Sequence, residues 1–173
     1  QTPDLKHADD ALYIIGETND ELGASEYFTM QGHVGSSVPV VNAKKNTKAY
    51  DAISKANAAG YLASAISIGR GGLAVALAKQ SMGGQMGAQI DLTKIPGKAA
   101  SADRVLFSES QGRIVVSVRP GREKAFEKLL HGIPYARIGQ GGGPALSIKL
   151  SGTQIDIPFL SLTDSYRSFF KEW

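Results

Sequence analysis

Six consecutive residues that are apolar on every side of a helix, Leu73-Ala74-Val75-Ala76-Leu77-Ala78, limit what this chain can fold into. A helix at a domain surface carries one polar side, so a helix that lacks one must be enclosed by other elements. The pattern predicts this helix over residues 73–81, opened by Gly69-Arg70-Gly71-Gly72 and stopped by Gly83-Gly84. Short apolar runs on either side, residues 62–68 and 88–92, read as strands.

The rest of the chain alternates in the same manner. Residues 11–15 form an apolar run closed by Gly16 and read as a buried strand. The segment ahead of it, residues 1–10, is linker-like, with Asp9 and Asp10 expected in solvent. Ser25 caps a short helix through Met30, residues 32–39 form a loop, and Asn42 caps a helix to about Ala59 that Gly60 ends. Tyr50, Ile53 and Ala56 are its expected inner face. Ser101 opens a short helix to Ser108, residues 113–118 are a valine-rich strand, and Pro120 starts a helix to about His131 packing through Phe126, Leu129 and Leu130. Gly139 to Pro144 reads as a hairpin connection, and residues 135–139, 146–150 and 154–157 read as short extended segments. A last helix from about Thr163 carries Leu162, Tyr166, Phe169, Phe170 and Trp173 on one stripe, which needs a cover on this domain or a neighbour. Mixed strands and helices without an internal repeat define an α/β or α+β sandwich, with helices covering a mixed sheet.

The 173 residues suffice for one full domain with one sizeable core. A net charge of +3 favours anionic ligands only mildly, and the one dense basic run, Lys44, Lys45 and Lys48, is a solvated helix face rather than a nucleic-acid surface. The absence of cysteine excludes disulfides and thiolate chemistry and agrees with a cytoplasmic setting. No apolar run approaches the ~20 residues of a membrane helix. The start, Gln1-Thr2-Pro3-Asp4, reads as the middle of a longer polypeptide. His7, His33 and His131 sit in no metal-ligand spacing.

The sharpest local motif is Gly69-Arg70-Gly71-Gly72-Leu73-Ala74, between a predicted strand and the enclosed helix. Three readings stand side by side. The glycines serve a tight turn; or the free N–H groups and Arg70 bind an anion; or the G-x-G-x-x-A spacing, with Asp91 about 20 residues on, binds a dinucleotide for an oxidoreductase.

Four stretches in order carry a resemblance. They are Leu12-Tyr13-Ile14-Ile15-Gly16-Glu17-Thr18 with Glu21-Leu22-Gly23-Ala24-Ser25-Glu26-Tyr27; Gly71 through Ala78; Gly87-Ala88-Gln89-Ile90-Asp91-Leu92; and Leu106-Phe107-Ser108-Glu109-Ser110-Gln111-Gly112-Arg113. Together they resemble the phosphoribosylformylglycinamidine synthase family, at the C-terminal domain of its second half. The resemblance implies a three-layer α/β/α domain around a mixed sheet, similar to the C-terminal domain of aminoimidazole ribonucleotide synthetase. It implies a ligase of purine biosynthesis that amidates formylglycinamide ribonucleotide with ATP, magnesium and glutamine-derived ammonia. The implied partners are an ATP-binding-type domain and first half of the same chain, and a glutaminase domain or subunit; nucleic acid and membrane are not among them, and the domain alone is expected inactive or homodimeric. It places nucleotide or substrate contacts at Gly69, Arg70, Gly71, Gly72, Glu109, Ser110 and Gln111, with ordering of the loop before the next strand as the other role for Glu109-Ser110-Gln111. One departure stands out. The family has a His-Asp pair and Ser-Asp-Gly-Gly-Leu before the enclosed helix, whereas this chain has Ile66-Ser67-Ile68-Gly69-Arg70-Gly71-Gly72-Leu73. An arginine replaces the carboxylates, which argues against metal chemistry there and for an anion, or a neighbouring domain, as the partner of Arg70.

Overall fold

Buried strands need cover on both faces, and the computed structural model, which describes residues 1–168, supplies it from six helices. In chain order the elements are β1 (Ala11–Ile15), α1 (Glu26–Met30), α2 (Ala43–Ala58), β2 (Leu62–Ser67), α3 (Gly72–Gly84), β3 (Ala88–Asp91), α4 (Ala102–Phe107), β4 (Ile114–Val118), α5 (Glu123–Leu129), β5 (Tyr135–Gly141), β6 (Ala145–Leu150), β7 (Thr153–Pro158) and α6 (Phe159–Ser168). The strands form one mixed sheet in the order β2-β4-β1-β5-β3-β6-β7, in which only β3 and β6 run parallel as neighbours.

Strand periodicity divides the core in two. Leu12 and Ile14 of β1 join Val115, Ile138, Ile90 and Ile148 under α3 and α4, while Ala11, Tyr13 and Ile15 join Val116, Val118 and Phe126 under α2 and α5. The result is the three-layer α/β/α arrangement. Helix α3 packs on the sheet through Leu73, Ala76, Leu77 and Gln80 and also meets α4 and α6, while Ala74, Val75 and Ala78 are half-buried, so the enclosure the pattern predicts is partial. α6 begins at Phe159, ahead of the expected Thr163, and Leu162 packs against the α3 layer. Phe169, Phe170 and Trp173 of its expected stripe lie outside the described residues.

Several expectations are corrected. α2 faces the sheet with Ala49, Ala52 and Ala56; Ile53 is half-buried and Tyr50 is 47% exposed. Small side chains let the helix axis approach the strands closely, so the alanines, not the larger residues, take the inner face. α3 continues through Gly83 and Gly84 and stops at Gln85, which adopts the left-handed conformation at φ 51°. α5 starts at Glu123, because Pro120 and Gly121 are spent in a turn. Gly139 to Pro144 is no hairpin: β5 and β6 lie on opposite sides of β3, and the connection crosses the start of β3, where the Gly87 N–H donates to Gly143 O at 2.7 Å. The segment before β1 is not a free linker. The Ala65 N–H of edge strand β2 donates to Thr2 O, the Leu5 N–H donates to Gln80 O, and Leu5 is buried in the core. Asp9 is solvated as expected, but Asp10 is fully buried.

The topology also overturns the dinucleotide reading. β2 and β3, which flank the glycine turn and α3, have β4, β1 and β5 between them, so they do not form the adjacent parallel pair that builds a dinucleotide crevice. Asp91, the residue that would bind ribose there, instead bonds Thr93 and sits 3.4 Å from Lys149.

Candidate functional site

The residues singled out in the sequence fall into one corner, where α1, the start of α3 and the turn between α4 and β4 meet. Gly71 and Gly72 both take positive φ, 81° and 68°, where the chain that leaves β2 at Ser67 enters α3. That turn leaves the Gly71 N–H pointing outward, and its acceptor is the chain's own carboxylate. Glu109 Oε1 accepts from the Gly71 N–H at 2.9 Å and from the Glu26 N–H, at the start of α1, also at 2.9 Å. Arg70 forms an ion pair with Glu26. Within this chain the partner of Arg70 is thus Glu26. The ion pair is largely exposed and contributes little to stability. Of the two charge-assisted carboxylate–amide contacts, the one to Gly71 is half-buried and contributes more than the exposed one to Glu26. Replacing Glu109 with Ala is expected to cost about 1–2 kcal/mol and to raise amide exchange at Gly71 and Glu26 while β1 and β4 keep their protection.

The Ser110 and Gln111 side chains do not join the Glu109 carboxylate in its contacts. The Ser110 hydroxyl is buried and accepts from the Asn19 N–H at 3.0 Å, while the exposed Gln111 amide donates to Glu109 O at 3.0 Å. Both border a cleft of about 230 Å³ that also takes in Asn19, Asn46 and Lys45. A shallower depression of about 680 Å³ adjoins it, shares Glu17, Glu21 and Lys45, and brings in Lys98. Lys45 pairs with Glu17 at 2.9 Å across the cleft. The arrangement offers amides, ammonium groups and carboxylates to one ligand, the donor and acceptor set suited to a sugar phosphate.

A residue missed in the sequence organises this corner. Arg113 is 1% exposed and donates from Nε to Ser110 O and from Nη1 to Thr18 Oγ1, with Nη2 bonded to Ser108 O. Burial lowers its value to about 10, offset in part by Glu21 and Glu109, so it stays protonated at neutral pH. In the sequence it shows only as the opening of a valine-rich strand and the last residue of the fourth family-like stretch.

A strap from the end of α1 to α2 borders the cleft. Met30, Val34, Val38, Val40 and Val41 on it are all more than half exposed, and Val38 and Val40 line the cleft walls. Among the described residues no cluster of His, Cys, Asp and Glu could hold a metal ion, and no helix is long and apolar enough to cross a membrane.

A three-layer α/β/α domain with this glycine turn and this Glu-Ser-Gln segment is of a known class: the chain belongs to the family described as AIR synthase related protein, C-terminal domain, whose model matches residues 7–145. Within that class it is similar to phosphoribosylformylglycinamidine synthase subunit PurL. The identity is 37% over 160 residues to the Thermobifida fusca protein, covering 91% of this chain and 20% of the relative. It is 34% over 164 residues to the Methanocaldococcus jannaschii protein, covering 94% and 22%. The chain thus spans about a fifth of the length of these relatives. The structure of Thermotoga maritima PurL complexed with FGAR superposes with a TM-score of 0.79 at 19% identity, over 93% of this chain and 29% of that one. The hydrogenase maturation protein HypE in complex with ATP gives a TM-score of 0.63 at 17% identity, over 90% and 52%. At those identities the likeness is one of fold.

Proposed function

We propose that this chain is the C-terminal domain of the second half of a phosphoribosylformylglycinamidine synthase. In that reading the whole enzyme amidates formylglycinamide ribonucleotide in purine biosynthesis, using ATP and ammonia from glutamine, and the chain on its own does not turn over. The observation that carries the reading is sequence identity of a third or more to PurL subunits along more than nine-tenths of the chain. ATP fits the reading because Thermotoga maritima PurL, which shares the fold, forms complexes with ATP and AMPPCP. Magnesium finds no carboxylate cluster among the described residues.

Each residue's proposed role follows from its surroundings. Gln111, Asn19, Asn46 and Lys45 face the cleft and would contact a ribose phosphate. Gly69, Arg70, Gly71, Gly72 and Glu109 act one step back. The Gly71 N–H already has Glu109 as acceptor and Arg70 already has Glu26, so a phosphate there would have to displace a carboxylate. Ser110 positions the Asn19 backbone. The apolar strap is the surface where the ATP-binding-type domain of the same enzyme would seat and close the cleft from above. A glutaminase domain or subunit completes the assembly, in keeping with the PurLQS structure from Thermotoga maritima, whose matching part has the same fold.

The test is a graft of this chain in place of the matching domain of the Thermobifida fusca subunit, scored by growth of a purine auxotroph. Growth is expected; a stable, soluble graft without activity would sink the reading. The strap supplies a sharper prediction. Val40→Asp with Val41→Asp should change the stability of the chain alone by no more than about 1 kcal/mol, as for exposed positions, yet lower activity of the graft at least tenfold by placing charge on an apolar seam.

A further inference from the structure

Asp10 ends the segment that precedes β1. It is 0% exposed, and neither of its carboxylate oxygens meets a donor in hydrogen-bond geometry among the described residues. Its backbone is well held: the Gly141 N–H donates to Asp10 O at 3.0 Å, and the Asp9 N–H donates to Gly141 O at 3.1 Å. The charged groups that face the side chain are His7, from the same segment, and Arg119, just past the end of β4. Burial pushes the Asp10 carboxyl above its ordinary value, and the charge and backbone N–H of His7, with Arg119, offset only part of that effect. An unpaired carboxylate in such a place is far more costly ionised than neutral.

The segment ahead of Asp10, which brings His7 beside its carboxyl, lies outside the named strands of the sheet. Residues 1–9 are held by the side-chain amide of Gln1 on Leu62 O, by the Ala65 N–H on Thr2 O, by the Leu5 N–H on Gln80 O, by the Asp9 N–H on Gly141 O, and by Leu5 in the core. We propose that residues 1–9 form a proton-gated strap, seated while Asp10 is a neutral acid and released as its carboxyl ionises. Release hydrates the carboxylate and bares the Ala65 N–H and Leu62 carbonyl on edge strand β2, which become free for another chain segment.

The sign follows from linkage. A carboxyl whose value is raised in the seated state keeps its proton there to higher pH than in the released state. Seating is therefore tightest below the ordinary carboxylate range and weakens as pH rises through the raised value. Within that window the released fraction grows about tenfold per pH unit, then levels off.

Amide exchange at Leu5, corrected for intrinsic rate and followed upward in pH from the ordinary carboxylate range, about pH 4, tests this. Protection of Leu5 should fall in wild type as pH rises out of the ordinary carboxylate range, then level off, and should stay high and flat in Asp10→Asn, while β1 amides are unaffected in both. A carbon-13 titration of the Asp10 carboxyl in wild type stands independently of whether the variant folds. An Asp10 that titrates in the ordinary carboxylate range, or Leu5 protection with the same slope in both proteins, would overturn the proposal.

Discussion

Arg113→Ala should lower the stability of this domain by roughly 3–5 kcal/mol, because it strips three buried acceptors of a charged donor at once. Those acceptors are Ser110 O, Thr18 Oγ1 and Ser108 O, and each belongs to a loop with no regular ladder of its own. Thr18 also ties down the 96–99 turn: its N–H donates to Pro96 O, and its carbonyl accepts from the Lys98 and Ala99 N–H groups. Loss of the guanidinium therefore loosens the exit from β1, that turn and the segment before β4 together, and these are the walls of the cleft. Arg113→Met separates packing from hydrogen bonding. It refills most of the volume but offers no donor, so it should recover only the cavity part of the loss. Urea denaturation measures both, and a melting shift of roughly 10 °C is the thermal counterpart for a domain of this size. A Met variant as stable as the parent would mean that the three acceptors find water once the arginine leaves.

Why Arg113 escaped a reading of the sequence shows where such reading stops. Elements came through well because their signals are local. The five apolar residues of β1, the side-chain caps of Ser25 and Asn42, and the partly enclosed apolar run of α3 each rest on a few neighbours in the chain. On the inner face of α2 the structure bears out Ala56, half-buries Ile53 and exposes Tyr50, because how closely each side chain lets backbones approach depends on the sheet beneath rather than on the helix. The glycine connection before β6 was read as a hairpin because nothing local says that β3 will slot between β5 and β6. The site was half legible. Glycines 69, 71 and 72 and the Glu109-Ser110-Gln111 segment do come together, but their mutual bonding, with Glu109 as acceptor for Gly71, joins residues 38 apart in the chain. The buried states of Arg113 and Asp10 were invisible, since both charged types are exposed by default and only long-range packing makes them exceptions.

The glycine turn itself should respond to alanine in three graded steps, the last with the largest backbone effect in the corner. A Cβ on Gly69 meets nothing within 4 Å and needs no unusual φ, so Gly69→Ala is expected to fall within about 0.5 kcal/mol of the parent. On Gly71 the new atom would lie 2.4 Å from Val75 Cγ2 at a φ of 81°; the valine can yield, so the cost is about 1–2 kcal/mol, mostly the left-handed backbone. On Gly72 the atom would lie 2.6 Å from Leu106 O and 2.7 Å from the Phe107 backbone, at a φ of 68°. Backbone cannot yield as a side chain does, so α3 must back away from the end of α4 at a cost of roughly 3 kcal/mol or more. The same order should appear in the stacking of Tyr27 on Phe107, whose rings lie 4.6 Å apart where α1 meets the end of α4. Ring-current shifts of Phe107 read that contact directly, and they should be unchanged in Gly69→Ala and lost in Gly72→Ala. If these glycines were instead kept for close approach of a phosphate to the turn, the order would invert. Gly69→Ala would then abolish activity of the grafted enzyme while leaving the domain stable, so stability and activity measured on the same three variants decide between a packing turn and a ligand turn.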